Sequence, residues 1–137
     1  MEIAVTRSSK ATKERIWSLW TNVDTWNLWD SDVEYSKLFG MFEVGTNGVL
    51  KARNGPKSKF NIVEATTNKS FTNRSKLPLC TLDFVHEIVA KETGVIITHR
   101  IVIKGFLSPL FSLIIGKQQE KNLPKAVEAL IKLAENE

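Results

Sequence analysis

What the chain lacks narrows its class before any motif is considered. It has one cysteine, Cys80, so no internal disulfide can staple it, and that cysteine lies in an apolar stretch that suits a small core residue. Only two histidines are present, His86 and His99, with no further cysteine or histidine to join them. A zinc site takes three or four ligands, so no metal is expected. There is no phosphate-binding glycine loop, HExxH, nucleophile elbow or paired-carboxylate motif, and no cofactor is expected. The most apolar run, "GFLSPLFSLIIG" (105–116), falls short of the ~20 residues of a membrane span and is interrupted by Pro109. The opening "MEIAVTRSSK" lacks the apolar stretch of a secretion signal, which makes a cytoplasmic location the expectation.

What is there fits one domain spanning 1–137. A chain of 137 residues, 42% hydrophobic and 25% charged, can bury a real core without staples. The net charge of +4 is unevenly placed. Residues 51–76 hold Lys51, Arg53, Lys57, Lys59, Lys69, Arg74 and Lys76 against one acid, Glu64. Such a strip suits a solvated sheet face, with a peripheral-membrane or partner-binding module making weak, salt-sensitive contact to anionic surfaces as the alternative expectation. All four tryptophans fall within "WSLWTNVDTWNLW" (17–29). Base stacking would need aromatics interleaved with the basic residues, and the strip holds only Phe60 and Phe71, both at apolar-face positions. No nucleic-acid partner is therefore expected.

Along the chain, "EIAVTR" alternates as a strand, and "ATKERIWSLW" switches to helical spacing. "NVDTWNLWD" reads as a second short helical turn with Asp24 as its N-cap. From Asp32 to Ile103, six strands follow in series, separated by turn-forming clusters such as "NGP" (54–56) and "KETG" (91–94). The remaining residues form one long helix, with Pro109 in its first turn and Pro124 kinking its middle. Val127, Leu130, Ile131 and Ala134 share a sheet-facing stripe. Before Pro124 the same side carries Gly116, Gln119, Glu120 and Leu123, a pattern of a helix roofing a cavity.

The last two strands carry the most informative pair. A hairpin centred on Glu92–Thr93 sets His86 opposite His99 on the apolar, inward face. Four readings stay open: a polar anchor for a ligand, proton transfer by a buried imidazole, local hydrogen bonding alone, and the disfavoured metal site.

The chain resembles the START-like, polyketide cyclase/dehydrase (SRPBCC) superfamily. The carriers are "ATKERIWSLWTNVDTWNLWDSDV" (11–33), "FEVGTNGVLKARNGPKSKFNI" (42–62), "FTNRSKLPL" (71–79), "FVHEI" (84–88), "THRIVIKG" (98–105) and "LPKAVEALIKLAE" (123–135). Thr12 departs from the pattern, standing where members often place a helix-opening proline. The resemblance implies an α+β helix-grip fold: a seven-stranded curved antiparallel sheet wrapped around a long C-terminal helix, with two short helices between the first two strands. It also implies a cavity between sheet and helix for a small hydrophobic or amphipathic molecule, a lipid or an aromatic compound. Members include binders and cyclases, so fold alone does not choose between them. Residues expected to line the cavity are Trp29, Phe84, His86, His99, Ile101, Leu113 and Gly116, with His86 and His99 as catalytic candidates if the chain is a cyclase or dehydratase.

Overall fold

The computed structural model describes residues 1–136 and has the expected α+β order. Strand β1 (Glu2–Ser9) leads into helix α1 (Lys13–Thr21) and a 3-10 turn (Val23–Leu28). Six strands follow: β2 (Val33–Leu38), β3 (Asn47–Ala52), β4 (Lys57–Thr66), β5 (Ser70–Leu77), β6 (Cys80–Ala90) and β7 (Val95–Gly105). Helix α2 (Ser108–Glu135) closes the chain. The sheet order is β1-β7-β6-β5-β4-β3-β2, antiparallel throughout. Residues 10–32 thus carry the chain from one edge of the sheet to the other, and the meander returns it to β1.

Local chemistry explains the element boundaries. Thr12 caps α1, its hydroxyl accepting from the Arg15 N–H at 3.1 Å. Asp24 does not cap the second helical segment. Asn22 holds that position without a side-chain bond, and Asp24 lies inside a turn of 3-10 geometry. Gly94 closes the β6–β7 hairpin at φ 92°, where its missing Cβ leaves room for the Ser9 carbonyl. Pro109 opens α2, and Pro124 is accommodated inside it.

Two apolar clusters hold helix to sheet. The larger gathers Ile16, Trp20, Trp26, Phe60, Ile62, Phe71, Ile97 and Leu130. The smaller joins Val5, Cys80, Leu82, Ile101, Ile103, Leu123 and Val127. Trp20 is fully buried and Trp17 half-buried, with their rings edge to face at 6.2 Å, so this pair anchors α1 on the sheet. The smaller cluster absorbs Cys80, as its apolar surroundings imply.

Candidate functional site

Between the two clusters the packing leaves a cavity of about 230 Å³. Trp26, Trp29 and Ala126 bound it from the larger cluster, and Leu82 and Leu123 from the smaller. Strands β5 and β6 contribute Asn73, Phe84 and His86, β7 contributes His99, and Ile115, Gln118, Gln119 and Asn122 of α2 form the roof.

Of the residues expected from the sequence to line this space, Trp29, Phe84, His86 and His99 surround it. Ile101 shares the inward face of β7 but is fully covered inside the smaller cluster. Leu113 points to solvent. Gly116 is buried on the other flank of α2, where a Cβ would meet the Met1 sulfur at 3.4 Å. The difference is one of helical phase: Ile115, Gln119, Asn122, Leu123 and Ala126 are the positions that face the cavity. Glu120, placed on the same side by the sequence pattern, is also exposed.

The histidine register is the one the hairpin dictates, with His86 and His99 directly paired. Their ring centroids are 4.6 Å apart. The indole N–H of Trp20 donates to His99 Nε2 at 3.2 Å. An indole can only donate, so Nε2 is the unprotonated nitrogen and Nδ1 carries the hydrogen. His86 Nδ1 lies 3.3 Å from the Phe71 carbonyl, which can only accept, so the proton sits on Nδ1 and Nε2 keeps its lone pair. The His86 ring also lies flat on Phe71, with centroids 3.9 Å apart and planes at 5°. His99 is therefore neutral, and both rings carry a hydrogen on Nδ1. Burial pushes the His99 pKa down to about 3. Burial, with repulsion from His99, pushes His86 well below the usual histidine value.

Two further polar atoms in the wall have no protein partner. The Trp29 indole N–H and the Asn73 side-chain oxygen are both buried and unpaired. Unpaired buried groups are costly. At the mouth, Asn122 Nδ2 donates to Asp30 Oδ1 and Gln118 Nε2 donates to Asp32 Oδ2, each at 3.1 Å. These bonds tie the segment after Trp29 to α2. Burial raises the Asp30 pKa despite the Asn122 and Asp32 bonds.

The sequence pattern does not point to the mouth residues, but it does carry a signal for Asn73. That residue follows Phe71 on the inward alternation of "FTNRSKL", where an apolar residue would fill the core. Trp26 packs on Phe60 and Phe71 and also shows an edge to the cavity. No group of three or more His, Cys, Asp or Glu is placed to hold a metal among the described residues. No described helix is long and apolar enough to cross a membrane. The basic strip divides: Arg74 pairs with Asp83 at 2.7 Å and Arg53 binds carbonyls of Ser31 and Val33, while Lys57, Lys59 and Lys76 are exposed.

No protein-family model matches the chain, and no curated protein matches it by sequence. Its fold, by contrast, matches solved structures over nearly its whole length. Truncated norcoclaurine synthase from Thalictrum flavum is 14% identical, with a TM-score of 0.75, covering 100% of this chain and 94% of that one. A START superfamily protein from Mycobacterium smegmatis is 12% identical, with a TM-score of 0.71, covering 96% and 97%. The di-domain ARO/CYC StfQ of the steffimycin biosynthetic pathway is 10% identical, with a TM-score of 0.78, covering 98% of this chain and 50% of that one. The chain thus has the START-like, helix-grip fold.

Proposed function

We propose that the cavity binds one small, uncharged molecule with an apolar body and a hydroxyl or carbonyl group. The observation that carries this reading is an apolar chamber lined by Trp29 and Asn73, whose indole N–H and side-chain oxygen are buried without a protein partner. The apolar wall supplies affinity, and the two polar atoms, with His99 Nδ1–H and His86 Nε2, orient the ligand. The chamber's small volume, about 230 Å³, disfavours a whole diacyl lipid. A one- or two-ring aromatic compound or a short chain fits. The lowered histidine pKa values, with the lining Arg100 paired to Glu2 and Glu87, favour a neutral ligand over an anion.

Cyclase or dehydratase chemistry by His86 or His99 is the competing reading. A general base works best with a pKa near the ambient pH, and a ring held near 3 is a weak base in neutral solution. The pair suits hydrogen bonding better than proton transfer.

The test is binding of naphthalene and 2-naphthol, followed by intrinsic fluorescence and calorimetry. Ala126 lines the chamber, and Ala126→Leu fills part of it. That variant should abolish binding of both compounds while the circular dichroism spectrum stays native. Trp29→Phe and Asn73→Leu should spare naphthalene and weaken 2-naphthol about tenfold, the worth of one buried hydrogen bond. Equal loss of both compounds in these two variants would show that the polar atoms do not read the ligand.

A further inference from the structure

Away from the cavity, the fold leaves a group of large apolar side chains uncovered at one end of the sheet. Phe106 is 83% exposed, Leu113 72%, Leu79 68% and Ile114 62%. Leu79 and Phe106 come from two turns that are joined, and Leu113 and Ile114 from the start of α2. The Leu107 N–H donates to the Leu79 carbonyl at 3.3 Å, bringing the β5–β6 turn beside the β7–α2 turn. Gly105 permits this approach, since a Cβ there would stand 2.6 Å from the Leu79 oxygen. Leu79 itself has φ 55°, a conformation that a bulky residue rarely takes. The backbone is thus held in an unfavourable shape that presents a leucine to solvent.

Lysines predominate along the segments that carry this group. Between Glu92 and Glu120 the sequence contains no acid. On α2 the solvent-facing stripe runs Leu110, Leu113, Ile114, then Lys117 and Lys121, and Glu120 lies to one side. Lys104 precedes the exposed turn, and Lys76 precedes Leu79; both are exposed.

We propose that this end of the molecule docks on an anionic lipid bilayer, with Phe106, Leu79, Leu113 and Ile114 entering the headgroup region and Lys104, Lys117 and Lys121 contacting lipid phosphates. An apolar tip ringed by lysines is the pattern of an interfacial anchor. A second copy of the chain is the poorer occupant, because a symmetric contact sets each lysine ring against its equivalent. The contact is peripheral, as no described helix can span the bilayer. Ile115, Gln118 and Gln119 of the same helical segment line the cavity, so docking would bring the chamber's roof to the lipid surface.

Co-sedimentation with vesicles tests this without any cavity ligand. The chain should bind vesicles of equal parts phosphatidylcholine and phosphatidylglycerol and release as salt rises. The triple variant Phe106→Ser, Leu113→Ser, Ile114→Ser should lose at least about tenfold in partitioning, with an unchanged melting profile. Phe106→Trp supplies a second readout: its added emission should be quenched by brominated acyl chains. Wild-type protein that ignores these vesicles overturns the proposal, as does a new indole untouched by the bromines. Binding kept by the triple variant but lost on Lys57→Glu, Lys59→Glu assigns the contact to the outer sheet face and overturns it. A lipid-free dimer that the triple variant dissolves gives the face to a second copy and overturns it too.

Discussion

Acidification should destabilise this protein in a window set by its two histidines. In the unfolded chain each imidazole titrates near 6.5; in the fold, burial holds His99 near 3 and keeps His86 well below 6.5. A depressed folded pKa means that the unfolded chain takes up protons first as pH falls. The stability that depends on neutral rings is therefore complete above about pH 6.5 and erodes below it. At about pH 5, protonation of His99 favours the unfolded form by roughly 2 kcal/mol. His86 adds to this loss in the same direction. Asp30 acts in the opposite direction, because its raised pKa favours the folded state as the carboxyl protonates. Glu135, held below its usual value by the Lys10 N–H and the Ser9 hydroxyl, loses its contribution only below about 4.5. Urea melts at about pH 7.5 and pH 5 of an Asp30→Asn background isolate the histidines. Adding His86→Gln and His99→Gln should remove most of the drop. A drop of under about 1 kcal/mol in that background, or one that survives both glutamines, would refute the neutral, buried pair.

Other outcomes follow from single contacts. Asn73→Leu should raise the melting temperature, gaining about 1–3 kcal/mol by removing an unpaired buried oxygen, while weakening hydroxylated ligands. Gly94→Ala should cost several degrees in a thermal melt, since φ 92° and the nearby Ser9 carbonyl both oppose a Cβ. Gly116→Leu should leave probe binding intact, because that position faces Met1 rather than the chamber, and displacement titration checks it. Reversing Lys57 and Lys59 should change solubility and leave thermal stability within about 0.5 kcal/mol, since both are exposed on the outer sheet face.

The fold is largely legible in the sequence because its signals are local and periodic. Alternation in "CTLDFVHEIVA" and "VIITHRIVIK", joined by a four-residue turn, fixes the His86–His99 register without tertiary information. The chamber wall is legible where strands build it and ambiguous where the helix does. A strand has two faces, so Phe84 and His99 have to point inward. A helix face must be assigned by angle, and α2 before Pro124 carries apolar residues all around, from Leu110 to Ile115. That surplus suggests a wall position at Leu113, whereas the structure turns it outward. The mouth contacts of Asp30 with Asn122 and Asp32 with Gln118 join positions distant in sequence, and no periodicity announces such pairs.

The pairing of β1 with β7 also sets an order on how the chain can assemble. Thr6 meets Thr98 across the sheet, a sequence separation of 92 residues. Every other strand pair joins neighbours along the chain. During synthesis, residues 2–9 therefore wait without their partner until nearly the whole meander has emerged. Closing so large a loop costs entropy before any contact repays it, and non-local pairings of this kind slow folding. The opening strand is thus the last to be fastened, and in the interval β7 offers an unpaired edge to any other chain nearby.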